Sequence, residues 1–93
     1  AEFRNAYLNG ILPVLRYFEP ELVIISAGFD AHTRDPLADL NVQTDDYAWV
    51  TRQLMDVADE CCEGRVVSLL EGGYDLDALR DSAMTHVRTL MDV

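Results

Sequence analysis

Two short motifs in this sequence carry side chains that could do chemistry, and each follows an apolar run. The motif AGFDAH brings Asp30 and His32 behind the run that starts at Leu22. The motif EGGY brings Tyr74 behind the run that ends at Leu70. A carboxylate and an imidazole two residues apart project to the same side of an extended chain, so both could touch one metal ion. A phenol near a metal-bound carbonyl can donate a hydrogen bond to the oxyanion that develops there.

Each motif also has a purely structural interpretation, which the spacing alone leaves open. Asp30 could accept backbone N–H bonds in a turn, as short acidic side chains commonly do. Tyr74 could close a turn against the core. The two residues before it, Gly72 and Gly73, would let the backbone pass close to a ligand. Function therefore depends on what the surrounding elements bring together.

The pattern around the motifs predicts the order helix, strand, helix, strand, helix. The runs 22–27 and 66–70 are short, apolar and without regular alternation, which is typical of strands covered on both faces of a parallel sheet. A strand, a crossover helix and a second strand make a βαβ unit with parallel strands. Ligands in open sheets of this kind bind beyond the carboxyl ends of the strands. The sequence thus predicts an α/β fold in which Asp30 and Tyr74 face one cleft.

Residues that cap or break helices set the helix boundaries. Pro13 interrupts the first helix and should kink or restart it before Pro20 ends it. Thr44 is predicted to cap the second helix, Gly64 to close it, and Asp75 to cap the third. The apolar stripes predicted for the second and third helices are Tyr47, Val50, Leu54, Val57 and Cys61, and Leu76, Leu79, Ala83, Val87 and Leu90.

Two parallel strands alone make a poor sheet, because each strand needs neighbours and cover on both faces. Nothing in the predicted elements seals the open strand edges. We therefore expect the chain to be part of a larger sheet, either as a fragment of a longer enzyme or by pairing with a second chain.

The totals exclude several classes of protein. The chain has 93 residues, a formal net charge of −10 and 49% hydrophobic residues. A chain of this length forms one domain at most. Its acidic surface argues against nucleic acid, whose phosphates need Lys and Arg partners. No apolar run approaches the length needed to span a bilayer, so we expect no membrane partner either.

The two cysteines, Cys61 and Cys62, are adjacent within a helical pattern. Neighbouring helix positions point in different directions, so a disulfide between them would be strained. No CxxC spacing offers a structural zinc site. We interpret both as small helix residues in a reducing, cytoplasmic compartment.

Taken together, ISAGFDAHTRDPLADL and LLEGGYDL, separated by one helix, resemble the C-terminal part of the histone deacetylase superfamily. The sequence is most similar to the bacterial, class II-like branch with acetylpolyamine amidohydrolases and acetoin-utilisation proteins. The resemblance covers nearly the whole chain and includes PVLRYFEPELVIISAG. It implies that residues 1–93 are an incomplete piece of the three-layer arginase and deacetylase fold. The implied reaction is zinc-dependent hydrolysis of an N-acetyl amide, from acetyl-lysine or an acetylated polyamine.

The resemblance also implies roles for individual residues, matched by position in the motifs. Asp30 matches a zinc-ligating aspartate. Tyr74 matches the tyrosine that polarises the acetyl carbonyl and stabilises the tetrahedral intermediate. Gly72 and Gly73 match glycines beside the acyl-lysine tunnel, and Leu37 matches a position near the tunnel mouth.

The chain departs from the family pattern in what it lacks. The family's other zinc ligands and its histidine dyad lie upstream of this region, and this chain holds only His32 and His86. His32 falls where the family is not known for a ligand, so we interpret it as an exposed loop histidine. One carboxylate cannot hold a catalytic zinc. We therefore expect the chain alone to bind no zinc and to be inactive, with the missing part of its domain or a second copy as partner.

Two other interpretations remain. The chain could be a non-catalytic, self-associating module that keeps the deacetylase scaffold and binds another molecule. It could also come from an arginase-like ureohydrolase, which shares the fold. That family prefers a paired-acid D-x-D in the matching loop and lacks EGGY, whereas here His32 replaces the second acid.

Overall fold

The computed structural model describes residues 2–29, 32 and 42–91. Strands β1 (Val23–Ala27) and β2 (Val66–Leu70) form a two-stranded parallel sheet. The helical elements are α1 (Glu2–Ala6), a π-helical turn (Tyr7–Ile11), α2 (Leu12–Phe18), α3 (Thr44–Cys62) and α4 (Leu76–Leu90). The predicted α/β order and the parallel pairing are confirmed.

Pro13 restarts the first helix, as its position in the sequence predicted. It stands in the first turn of α2, where it cannot donate the usual helical bond, and helical backbone already precedes it at Ile11 and Leu12. The π-helical turn at Tyr7–Ile11 directly precedes it. The helix ends at Phe18, and Glu19 follows in a left-handed conformation with φ of 56°. Pro20 then leads the chain towards β1.

Helix α3 is capped by Gln43 rather than by the predicted Thr44. The Gln43 side chain accepts from the backbone N–H of Asp46, and the Asp46 carboxylate accepts from the Gln43 backbone N–H at 2.9 Å. These two bonds form a reciprocal capping box. At the other end, Glu63 and Gly64 both have positive φ, of 59° and 77°. The predicted left-handed stop at Gly64 is therefore present, one residue beyond the cap.

The inner side of α3 packs on the sheet and on α4. Three positions of its predicted stripe, Tyr47, Val50 and Val57, are buried. Leu54 is only partly buried, and at the end of the helix Cys62 rather than Cys61 is buried. Both cysteines are free thiols. The buried residues of α3 are Tyr47, Val50, Thr51, Val57, Ala58 and Cys62.

Among the residues that the structure describes, the helices cover one face of the sheet. On that face Val23 and Ala27 are each 7% exposed. On the opposite face Ile24, Val67 and Leu69 are between 45% and 60% exposed. The described residues do not cover this second face, so the prediction that both faces are covered stays a prediction that depends on the larger sheet. We call the surface formed by Ile24, Val67 and Leu69 the open sheet face.

Helix α4 buries a different side from the one its apolar stripe predicted. Its buried residues are Ala78, Ser82 and His86, whereas Leu76 and Val87 of the predicted stripe are 80% and 49% exposed. Small residues allow α4 to pack against α3. The predicted apolar stripe of α4 is therefore covered in part: Leu79 and Ala83 pack against the core, whereas Leu76 and Val87 are exposed. None of the helices in the described ranges is long and apolar enough to cross a membrane.

Candidate active site at the carboxyl edge of the sheet

The two motifs leave the sheet side by side. The last ladder pair joins Ala27 to Leu70. Beyond it, the backbone N–H of Glu71 donates to the Ala27 carbonyl oxygen at 2.9 Å, and the Phe29 N–H donates to the Gly72 carbonyl oxygen at 2.8 Å. Parallel pairing therefore continues past the strand ends and joins the backbone of AGFDAH to that of EGGY.

Gly73 fits where a larger residue would not. Its φ is 144°, a conformation that is essentially restricted to glycine. A Cβ atom at this position would lie 2.9 Å from Leu79 Cδ1 and 3.4 Å from Phe29 Cβ. The described contacts of Gly73 are thus with α4 and with the AGFDAH motif. The predicted place of Gly72 and Gly73 beside a substrate tunnel stays a prediction.

Tyr74 stands between this tight turn and the start of α4. The side chain of Asp75 accepts a hydrogen bond from the Ala78 backbone N–H at 2.8 Å, so the predicted cap is confirmed. Tyr74 itself is 57% exposed. Its neighbours in the chain are fixed while the tyrosine remains accessible, which suits a side chain that must reach a bound molecule.

Asp30 and Leu37 lie outside the described residues, so their predicted roles stay predictions. The residues on either side of Asp30 are described. Phe29 is 3% exposed and His32 is 2% exposed. The His32 backbone N–H donates to the Phe29 carbonyl oxygen at 3.3 Å. The chain is therefore buried and internally bonded immediately before and shortly after the acidic residue.

The prediction that His32 is an exposed loop histidine is wrong. Its Nε2 atom lies 2.9 Å from Oγ1 of Thr44, in the first turn of α3. Its ring stacks on Tyr47, with 6.3 Å between centroids and 13° between planes. Its backbone also forms a parallel bridge with Val42. Sequence reasoning missed these contacts because nothing in the tripeptide identifies partners ten or more residues away.

The ring of Tyr47, on α3, contacts one residue on each side of Asp30 in the sequence. The edge of the Phe29 ring meets Tyr47 with a centroid distance of 5.0 Å and an interplanar angle of 75°. His32 stacks on the same tyrosine. Tyr47 is 6% exposed, so both contacts lie in the core.

The second histidine, His86, belongs to a buried hydrogen-bond network. Its Nδ1 atom lies 2.8 Å from Thr51 Oγ1 and its Nε2 atom lies 2.7 Å from Ser68 Oγ. The Thr51 hydroxyl donates to the Tyr47 carbonyl oxygen at 2.6 Å. Since that proton is used, Thr51 accepts from Nδ1–H, and Nε2 accepts from Ser68. Both ring nitrogens are occupied, so His86 has none left to pair with His32 in a dyad.

Burial determines the protonation state of His86. Loss of solvent around the imidazole lowers the pKa of His86 below its ordinary value, because desolvation disfavours the charged ring. A neutral imidazole with one donor and one acceptor nitrogen also matches its two hydroxyl partners. His86 is therefore a neutral link between α3, β2 and α4.

The described part of the chain does not form a metal centre by itself. It contains no group of three or more His, Cys, Asp or Glu side chains that could hold a metal ion. A catalytic zinc needs three protein ligands and an open position. Asp30 could supply one carboxylate at this edge, so the remaining ligands would have to come from outside the described residues.

Comparison with known proteins agrees with this geometry. Residues 1–90 match the model of the histone deacetylase domain. The chain is 46% identical over 82 residues to type-2 histone deacetylase 1 of Dictyostelium discoideum, covering 88% of this chain and 6% of that protein. It is 38% identical over 91 residues to polyamine deacetylase HDAC10 of Homo sapiens, covering 98% of this chain and 13% of that protein.

A solved structure has the same arrangement of elements. The histone deacetylase Clr3 matches with a TM-score of 0.91 at 36% sequence identity. The match covers 99% of this chain but only 15% of the Clr3 chain. The chain therefore corresponds to a small part of each protein that it resembles.

Proposed function

This chain belongs to the histone deacetylase domain family, and from that premise we propose that it is the C-terminal part of a zinc-dependent deacetylase that hydrolyses N-acetyl amides. One observation carries the proposal. The backbone bond of 2.8 Å from Phe29 to Gly72 joins the motif of Asp30 to the motif of Tyr74. A carboxylate and a phenol delivered to one sheet edge suit a hydrolytic site.

Each motif residue receives a role in this proposal. Tyr74 donates a hydrogen bond to the oxyanion that forms when water attacks the acetyl carbonyl. Asp30 contributes one carboxylate to a zinc centre whose other ligands come from the rest of the domain. In this proposal Gly72 and Gly73 line the substrate tunnel beside the acyl chain, and Leu37 lies near the mouth of that tunnel.

The substrate is an acetylated amine. The relatives include proteins named as histone deacetylase and as polyamine deacetylase. Both names describe removal of an acetyl group, from a histone in one case and from a polyamine in the other. We propose acetyl-lysine or an acetylated polyamine as the substrate class, and the bacterial, class II-like branch as the source of the parent enzyme.

The missing part of the domain is the proposed partner of this chain. The open sheet face leaves Ile24, Val67 and Leu69 exposed, although parallel sheets bury both faces. The chain also covers only 15% of the Clr3 chain. Further strands and helices from the same domain would cover this face and bring the remaining site residues to the carboxyl edge.

The test compares the isolated chain with a complete domain, in which residues 1–93 are joined to the remaining segments of a family member. Zinc is measured after dialysis, and turnover is measured with a fluorogenic acetyl-lysine substrate. The isolated chain should retain less than one zinc and show no turnover, whereas the complete domain should do both. In that domain Asp30→Ala should lose zinc and activity together.

Replacement of Tyr74 separates the phenol's role from metal retention. In the complete domain Tyr74→Phe should keep its zinc and lose turnover by a factor on the order of 10²–10³. Tyr17→Phe is the matched control, because Tyr17 is 90% exposed on α2, away from both motifs. Turnover by the isolated chain that Asp30→Ala abolishes would contradict the proposed dependence on the rest of the domain.

The open sheet face also supports a second candidate function, that of a non-catalytic, self-associating module. An exposed apolar surface on a parallel sheet is a site where a second copy could pack. Sedimentation of the isolated chain distinguishes the two. A stable dimer that still forms when the rest of the domain is present favours the module, whereas displacement of the dimer by the rest of the domain favours the deacetylase fragment.

We further propose a reducing, cytoplasmic location. Cys61 and Cys62 are free thiols, which suits a compartment where disulfides do not persist. Cell fractionation of the parent protein tests this location directly.

A further inference from the structure

His32 is a buried, hydrogen-bonded histidine that the proposed function does not use. It is 2% exposed and is the last residue of AGFDAH, two residues after Asp30. Buried polar side chains normally have hydrogen-bond partners, because an unpaired polar group is costly to bury. The contacts of His32 therefore indicate what it does.

The side chain of His32 contacts α3, and its backbone contacts the segment that precedes α3. The Nε2 atom bonds Thr44 Oγ1 at 2.9 Å, the ring stacks on Tyr47, and the backbone bridges to Val42. Thr44 is in the first turn of a 19-residue helix, so its hydroxyl is carried on a rigid element. The bond between His32 and Thr44 consequently holds His32, two residues after Asp30, against the first turn of α3.

The chain before Asp30 is fastened independently. Phe29 donates its backbone N–H to Gly72 at 2.8 Å and places its ring against Tyr47. Holding one residue in a single backbone conformation costs about 1–2 kcal/mol of entropy, so a loop residue is ordered only if its neighbours are anchored. Phe29 provides the first anchor and His32 provides the second.

We propose that His32 is a positioning residue, which acts with Thr44 and Tyr47 to hold the chain on both sides of Asp30 against α3. The proposal rests on the proposed function, because it gives Asp30 a place in the reaction. His32 itself touches no substrate in this scheme. Its ring and its Nε2 atom act by limiting where the acidic residue can lie.

The test uses the complete domain defined above and two variants that remove the same bond from opposite sides. His32→Phe keeps a flat ring for stacking on Tyr47 but loses Nε2. Thr44→Val keeps the shape of the side chain but loses the hydroxyl. Each variant should lower kcat about 10-fold or more with little change in KM, as loss of groups that orient a catalytic side chain typically does.

The double variant provides a sharper readout. Because both changes remove one shared bond, His32→Phe with Thr44→Val should lose no more kcat than the worse single variant. His32→Gln, which can return a nitrogen to Thr44, should recover most of the loss. Hydrogen exchange of the peptide around Phe29 and His32 should accelerate in both single variants, whether or not the enzyme turns over.

A matched control removes a threonine hydroxyl elsewhere. The Thr89 hydroxyl donates to the Thr85 carbonyl oxygen at 2.8 Å on α4, outside the contacts of His32. Thr89→Val should leave kcat, KM and exchange near Phe29 unchanged. Equal losses in Thr89→Val and Thr44→Val would overturn the positioning role, and so would additive losses in the double variant.

Asp30→Ala separates this inference from the proposed function. If Asp30→Ala abolishes turnover while His32→Phe and Thr44→Val match the unaltered domain, only the positioning role is wrong. If Asp30→Ala leaves turnover intact, the proposed function is wrong. If one variant fails to fold, thermal melting reveals it, and the milder Thr44→Val still decides the outcome.

Discussion

At the carboxyl edge of the sheet, His32 and His86 are only 2% and 6% exposed, and both make side-chain hydrogen bonds, whereas on the open sheet face Ile24 and Leu69 are more than half exposed. The distribution is the reverse of the usual one, in which apolar side chains are buried and polar ones reach solvent. Within the described residues, both histidines therefore find side-chain hydrogen-bond partners inside this chain. The open sheet face receives no comparable cover from the described residues.

The difference between the two regions predicts how each should respond to substitution. Changes at the carboxyl edge should destabilise the chain itself, because the contacts there are already made. Changes on the open sheet face should have little effect on the chain alone and should matter only when that face is covered.

The largest effect is expected at Gly73. Gly73→Ala would place a methyl group 2.9 Å from Leu79 Cδ1 in a backbone conformation that L-residues rarely adopt. We expect the free energy of unfolding to fall by about 2–3 kcal/mol, measured by urea denaturation.

Gly10→Ala is the matched control for that change. Gly10 lies in the π-helical turn, and a Cβ there would have no atom within 4 Å. It should be neutral or stabilising by up to about 1 kcal/mol, since alanine is the better helix former. Equal destabilisation by the two substitutions would mean that the EGGY turn is less tightly packed than its contacts indicate.

A smaller effect is expected from the protonation of His86. Its pKa is lowered in the folded state, so below about pH 6.5 the unfolded chain binds a proton before the folded chain does. Stability is therefore fully present above that pH and declines as the pH falls, by at most about 1.4 kcal/mol per pH unit. Denaturation measured between pH 7.5 and pH 5.5, roughly one unit on either side of the ordinary histidine pKa, should show this decline.

His86→Gln isolates the contribution of this one ring. It removes the titrating ring while leaving every other ionisable side chain in the protein unchanged. The difference in stability between the two proteins should change with pH in the direction given above. A difference that is constant across the range would show that His86 is not a neutral, buried link.

The smallest effect on folding is expected on the open sheet face. Leu69 is 54% exposed, so Leu69→Lys should change the free energy of unfolding of the isolated chain by no more than about 0.5 kcal/mol. It should nevertheless reduce self-association and weaken pairing with the rest of the domain, because it places a charge where apolar cover is expected.

Asn9→Lys is the control for the added charge, because Asn9 is exposed and belongs to the π-helical turn rather than to the sheet. Sedimentation should show that Leu69→Lys associates less than the unaltered chain. Asn9→Lys should associate as strongly as the unaltered chain. If the two variants sediment alike, the open sheet face is not a packing surface, and the contrast between the two regions loses its basis.

Local signals were the ones that sequence reasoning predicted well. The boundaries of β2 and the cap at Asp75 agree with the structure, since both depend on residues that are adjacent in the chain. The partner of His32 was missed because Thr44 is 12 residues away and had been assigned to the helix cap. Contacts of that kind depend on how the elements pack, which local spacing does not specify.

The stripe of α4 shows a different limit. Its apolar periodicity was real, but the side that packs against α3 carries Ala78, Ser82 and His86. Apolar periodicity in a sequence marks every helix surface that becomes buried, whichever element covers that surface. The exposed Leu76 and Val87 are consistent with a surface that the rest of the domain covers. Sequence alone could not separate these two surfaces.

The bond from Phe29 to Gly72 joins main-chain atoms, so exchanging either side chain leaves its donor and acceptor in place. The relative placement of Phe29 and Gly72 is consequently set by how β1 and β2 are aligned. A shift of one residue in that alignment would displace one motif along the other by about 3.3 Å and turn its side chains to the opposite face. Single-residue insertions or deletions within either strand should therefore be far less tolerated than conservative replacements there, whereas length changes in the distant connections should leave the alignment intact.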